Sequence, residues 1–111
     1  MNETIIKKRE LKTTYREEED GTLVMSFEGW FDAPASTQAK RDMQVFNDKH
    51  DRNIILDLSG LKYISSSGLR LFLNLLKATR THGGSVKITG MSDYLNRVFD
   101  ETGFTRLFNY L

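Results

Sequence analysis

Asn53-Ile54-Ile55-Leu56-Asp57-Leu58-Ser59-Gly60-Leu61-Lys62-Tyr63-Ile64-Ser65-Ser66-Ser67-Gly68-Leu69 is the stretch that decides the fold. It opens with a short, mostly apolar run, Asn53 to Leu58, of the kind that forms a strand buried on both faces. Ser59-Gly60-Leu61 reads as a turn. Three hydroxyls and a glycine then stand in front of a leucine-rich segment. In that segment Arg70, Asn74, Lys77 and Thr81 recur at helical steps and form one narrow polar stripe. Leu69, Leu71, Phe72, Leu73, Leu75, Leu76 and Ala78 cover the rest, so the helix is expected to be largely enclosed. A length of about twelve residues would make it roughly 18 Å long. Gly83-Gly84 ends it, because glycine accepts the left-handed conformation that follows a helix.

Upstream, Leu11, Thr13 and Tyr15 alternate with Lys12, Thr14 and Arg16, the period of a strand with one wet face. Thr22 to Glu28 repeats the pattern, with Leu23, Met25 and Phe27 on one side. Asp20-Gly21 lies between the two runs, which predicts a hairpin. After Gly29-Trp30-Phe31, Asp32 can accept hydrogen bonds from the free N–H groups of a following helix. Pro34, the single proline, falls in its first turn, where a missing N–H costs nothing. Ala35, Ala39, Met43 and Phe46 share its inward face, and Asn47 to Asp51 closes it as a polar loop.

Downstream, Ser85 to Gly90 alternates as a strand. Ser92 caps a last helix with Leu95, Val98, Phe99 and Thr102 inward and Gly103 as its stop, and Phe104 to Leu111 forms a short final strand. Strands that alternate with helices imply parallel pairing and right-handed crossovers. The expectation is an α/β fold. It has a mixed, mostly parallel sheet of about four to five strands, with helices packed against it and a β-hairpin at its start. An N-terminal segment, 1–10, precedes a single domain, 11–111.

Composition removes several kinds of chemistry. With no cysteine there is no disulfide, thiolate metal site or cysteine nucleophile. Sixteen basic and fifteen acidic side chains leave a net charge of +1, without the basic excess of a nucleic-acid binder. Lys7-Lys8-Arg9 is followed at once by Glu10, and reads as solvated. Glu17-Glu18-Glu19-Asp20-Gly21 reads as a solvated turn, since successive carboxylates do not converge on one ion. No run reaches the roughly 18 apolar residues of a membrane span. Met1 to Ile6 lacks the apolar core of a secretory signal. The expectation is a cytoplasmic protein with no cofactor.

A serine before a helix can cap it, act as a nucleophile, or receive a phosphate. A nucleophile needs a base within hydrogen-bond reach. The hydrolase elbow needs glycine two residues either side of the serine, but Ser66 has Ile64 and Gly68. His50 lies in a polar loop and His82 at the far end of the helix from Ser67; both read as surface imidazoles. Gly83-Gly84 is followed by Ser85-Val86, leading into a strand, and not by the lysine and then hydroxyl of a phosphate loop. Capping accounts for one serine. A phosphate at a helix start meets unpaired N–H donors and partial positive charge, so the fold tolerates it. Trp30, at the strand-to-helix junction, is either a contact residue or core filling.

The segment Asn53 to Leu69 resembles the central motif of the STAS domain family, which includes bacterial anti-sigma factor antagonists. Its landmarks are an apolar strand ending in Asp-Leu, a short loop, and a serine pair before Gly-Leu. Gly29-x-Phe31-Asp32, Gly83-Gly84 before a strand, and Val98-Phe99 with Thr102-Gly103-Phe104 match further landmarks of that family. The resemblance runs from about Leu11 to Phe108. It implies a non-enzymatic interaction module in which Ser67, the serine before the glycine, is the phosphoacceptor, with Ser66 as the alternative. It implies a serine-kinase anti-sigma factor of the histidine-kinase-like ATPase fold as partner, and a metal-dependent serine phosphatase that removes the mark. Ser65, Ser66, Gly68, Asp32, Asp57 and Trp30 are the expected contact residues. Asp32 could equally be a helix cap, and Asp57 a buried turn hydrogen bond. Ser65 stands where many members have aspartate. A constitutive STAS adaptor in a larger complex and a small serine hydrolase are the alternative readings.

Overall fold

The computed structural model describes residues 10–110. Residues 1–9, almost all of the expected N-terminal segment, lie outside the described residues, as does Leu111.

β1 (Leu11–Glu17) and β2 (Leu23–Phe31) form the antiparallel hairpin, with Leu11 opposite Gly29 and Glu17 opposite Leu23. The turn is closed by the Glu18 N–H donating to the Thr22 carbonyl at 2.8 Å. α1 (Ala35–Asp42) follows and tightens into a 3-10 turn over Met43–Phe46. Then come β3 (Asn53–Ile64), α2 (Ser66–His82), β4 (Ser85–Thr89), α3 (Asp93–Glu101), a 3-10 turn over Phe104–Arg106 and β5 (Asn109–Tyr110). Among the described residues the sheet has five strands in sequential order, and every pair after the hairpin is parallel.

Apolar residues at strand and helix spacing meet in one core. Leu23, Met25 and Phe27 of β2 and Ile54, Leu56 and Leu58 of β3 face Ala39 and Phe46 of the α1 segment and Phe72, Leu75 and Leu76 of α2. Leu95 and Phe99 of α3 complete it. Phe99 sits edge-on to Phe104 and Phe108. On the reverse face Thr14, Ser26, Asp57 and Thr89 are aligned across four neighbouring strands.

The structure corrects the sequence reading in five places. Ser59-Gly60-Leu61 is not a turn but the middle of β3, which continues for 12 residues. It holds its place through register shifts against β2, between Ser26 and Glu28 and between Gly29 and Trp30. Gly60 fits there because a Cβ would stand 2.6 Å from the Glu28 Cγ. β3 is also not buried on both faces: Ile54, Leu56 and Leu58 are enclosed, while Ile55 and Asp57 are half-buried. α2 has 17 residues, about 25 Å at the standard rise, and leaves Leu71 and Leu73 half-exposed beside its polar stripe. Thr102 is exposed, its hydroxyl donating back to the Val98 carbonyl at 2.7 Å. The final strand is confined to Asn109–Tyr110, since Phe104 turns back onto Phe99.

Candidate functional site

β2 and β3 end side by side, with Phe31 opposite Ile64. The Ser65 N–H donates to the Phe31 carbonyl at 2.7 Å. Asp32 and Ser65 therefore leave adjacent strands at the same corner, and each caps the helix that follows it. Asp32 Oδ1 accepts the Ala35 N–H at 2.9 Å. Ser65 is extended, at φ −85° and ψ 166°. Its Oγ accepts the Gly68 N–H at 3.2 Å, and its carbonyl accepts the Leu69 N–H at 3.0 Å. Such a cap contributes about 1 kcal/mol. Ser65 is thus the capping serine, and Ser66 and Ser67 are left in the first turn of α2. Ser66 is exposed and Ser67 half-buried.

Gly68 sets how closely α2 sits on the strand ends. A Cβ on it would stand 2.9 Å from both Ile64 Cγ1 and Phe31 Cδ1. Those side chains are buried, so the glycine lets the first turn press onto the core. Beside this corner Trp30 stacks on Tyr63 with ring centroids 5.4 Å apart, and Tyr63 on Tyr94 at 6.4 Å. All three rings are half-buried. Trp30 is therefore neither bare nor core filling. Tyr63 and Tyr94 are not among the residues the sequence singles out; Tyr63 stands two positions before Ser65 as Trp30 does before Asp32, a signal that could have found it, while Tyr94 has no such local signal.

Asp57 is not brought to the corner. It lies eight residues before Ser65 along β3, on the order of 25 Å away. Its Oδ1 accepts both the Ser59 N–H, at 3.0 Å, and the Ser59 hydroxyl, while Ser26 Oγ donates to its Oδ2 at 3.5 Å. Desolvation raises its carboxyl, but the Ser59 and Ser26 hydrogen bonds and the Arg16 charge outweigh this and hold it below its ordinary value of 3.8. A folded value below the unfolded one stabilises the fold above pH 3.8, and that stability is lost as pH falls through the lower folded value. Asp57→Ala should therefore lower stability at neutral pH, by less than about 1 kcal/mol because the carboxylate is partly solvated. Urea midpoints of the two proteins should converge as the pH is taken below the ordinary carboxylate range; a constant gap down to strong acid would contradict this.

Neither histidine can serve as base to the serines. His82 ends α2, and His50 lies against His82 with ring centroids 5.7 Å apart, so both imidazoles stand at the opposite end of the helix. No helix among the described residues is long and apolar enough to cross a membrane.

Comparison with known proteins places this architecture. The STAS domain model matches residues 15–110. The chain belongs to the STAS domain family. Its STAS fold is 32% identical over 89 residues to a candidate anti-sigma factor antagonist, BtrV, of Bordetella bronchiseptica, covering 80% of this chain and 77% of that one. An anti-sigma factor antagonist from Mycobacterium paratuberculosis shares the fold with a TM-score of 0.79 at 20% identity, over 91% of this chain and 85% of that one. The Bacillus cell fate determinant SpoIIAA in its phosphorylated form aligns with a TM-score of 0.67 at 22% identity, over 90% and 91%. STAS domains act as regulatory interaction modules.

Proposed function

We propose that this STAS domain is an anti-sigma factor antagonist whose docking surface is the β3–α2 corner, switched by phosphorylation of Ser67. The observation that carries this reading is the division of labour among the serines. Ser65 is committed to the cap, and Ser67 stands half-buried in the turn behind it. The kinship with anti-sigma factor antagonists, one of them known in a phosphorylated form, supports it.

The partner is an anti-sigma factor of the histidine-kinase-like ATPase type, which binds the unmodified chain and phosphorylates it in the cytoplasm. A metal-dependent serine phosphatase restores the free hydroxyl. Nucleotide and magnesium belong to the kinase. Phosphate adds about 1.5 to 2 negative charges at neutral pH. The first turn of α2 offers it unpaired N–H groups and about half a positive charge, so the domain stays folded. The added charge and bulk act on the docked partner instead. Asp32, Trp30, Ser65, Ser66 and Gly68 shape the surface that the partner meets. Asp57 contributes from a distance, by fixing the bulge that sets where β3 ends.

Intact-mass analysis of the chain isolated from its native cells, followed by fragmentation, tests the reading. One phosphate located on Ser67 is the expected result. A phosphate on Ser66 alone would move the switch by one residue. A chain that carries none under any growth condition, yet retains its partner, would be a constitutive adaptor.

A further inference from the structure

The two histidines of the chain are distant in sequence, and Gly84 is what brings them together. A Cβ on Gly84 would run into the carbonyl oxygens of His50 and Arg52, so the α2–β4 turn lies directly on that backbone. The Ser85 N–H donates to the Arg52 carbonyl at 3.1 Å and fixes the contact. Gly83, at φ +84°, turns the chain out of α2 just after His82. The His50 and His82 rings consequently face each other at 5.7 Å between centroids, with planes inclined by 45°.

This spacing is that of two imidazoles sharing one ion. With metal–nitrogen bonds of the zinc type, two rings on a tetrahedral centre have their centres about 5–6 Å apart. His82 Nδ1 lies 2.8 Å from the Ala78 carbonyl oxygen. Donation from Nδ1 fixes the tautomer and leaves Nε2 with a free lone pair, the outer-sphere bond that metal-binding imidazoles make. Asp48 and Asp51 line the same shallow cavity. Lys49 holds Asp48 at 3.0 Å, so Asp51 is the carboxylate available to an ion. The last carbonyls of α2 add partial negative charge. Among the described residues no three histidine, cysteine or carboxylate side chains form a ready-made metal cage.

We propose that His50 and His82 form a surface site for a divalent transition metal of the zinc class, with water and a reoriented Asp51 completing its coordination. Imidazole selects zinc, copper or nickel over magnesium. The bound ion ties the end of α2 to the segment that enters β3, at the opposite end of the helix from the serines.

Titration of the tag-free chain with zinc chloride, read by calorimetry and by thermal unfolding, tests this. With two imidazoles instead of a full ligand set, the dissociation constant should be on the order of 10–100 µM. The unfolding temperature should rise with zinc and not with magnesium. His50→Gln and His82→Gln should each weaken binding at least about tenfold. In the wild-type chain, zinc should shift both imidazole resonances in NMR spectra, a readout that needs no variant to fold. The proposal fails if no saturable binding occurs below about 1 mM zinc. It also fails if affinity survives both substitutions, which would place the ion on other donors.

Discussion

Phe72→Ala should lower the unfolding free energy by about 3–5 kcal/mol. Phe72 is fully buried on α2. Its ring stands edge-on to Phe27 at 5.1 Å and to Phe31 at 5.7 Å, and those two rings stack on each other at 5.7 Å. Truncation removes the ring's burial and leaves a void that β2 cannot close, because its register is held by strands on both sides. A domain of this size has about 5–15 kcal/mol in all, so the loss is a large fraction of the total. Urea unfolding should show the midpoint falling at an unchanged slope. Phe31 also supplies the carbonyl that takes the Ser65 N–H, so the same substitution should loosen the corner. A cost below about 1 kcal/mol would show that the three rings do not form one packed unit.

Ser67→Asp should weaken binding of the anti-sigma factor co-purified with the wild-type chain by about 100-fold or more, while Ser67→Ala stays within a few-fold. The carboxylate carries about half the charge of a phosphate, so its effect is a lower bound on that of the modification. Loss of fold is not a competing explanation. An acid in the first turn of a helix is electrostatically favoured, so the unfolding temperature of Ser67→Asp should not drop. Calorimetry or surface plasmon resonance gives the affinity, and circular dichroism the stability. Undiminished affinity in a folded Ser67→Asp chain would reject the switch and leave a constitutive adaptor.

Much of this architecture is legible along the chain, because it is written in local chemistry. Asp20-Gly21 marks the hairpin, Asp32 with Pro34 starts α1, and Gly83 stops α2, each through a conformation or hydrogen bond that its own residues supply. The start of α2 was legible for the same reason: its capping hydroxyl belongs to the serine run that precedes the leucine-rich segment. Ser59-Gly60 misled because its local preference for a turn is overridden by pairing with β2, where Glu28 needs the space that glycine leaves. The length of α2 was underestimated because the polar stripe from Arg70 to Thr81 leaves out the first turn, where serine and glycine carry no helical pattern. In its last turn Thr79 is fully buried, its hydroxyl satisfied by the Leu76 carbonyl at 2.9 Å. The meeting of His50 with His82 had no local signal at all. It depends on a close approach between backbones remote in sequence, and only a missing Cβ at Gly84 hints at it.

The stacking of the single tryptophan on Tyr63 has a practical corollary. The indole is attached to the strand that leads into Asp32, and its neighbour to the strand that leads into Ser65. Tryptophan emission from the unlabelled domain, excited selectively over its tyrosines, thus comes from one place only, the rim of the proposed docking corner. Arrival and departure of a binding protein that lacks tryptophan at its own contact could be followed by light alone.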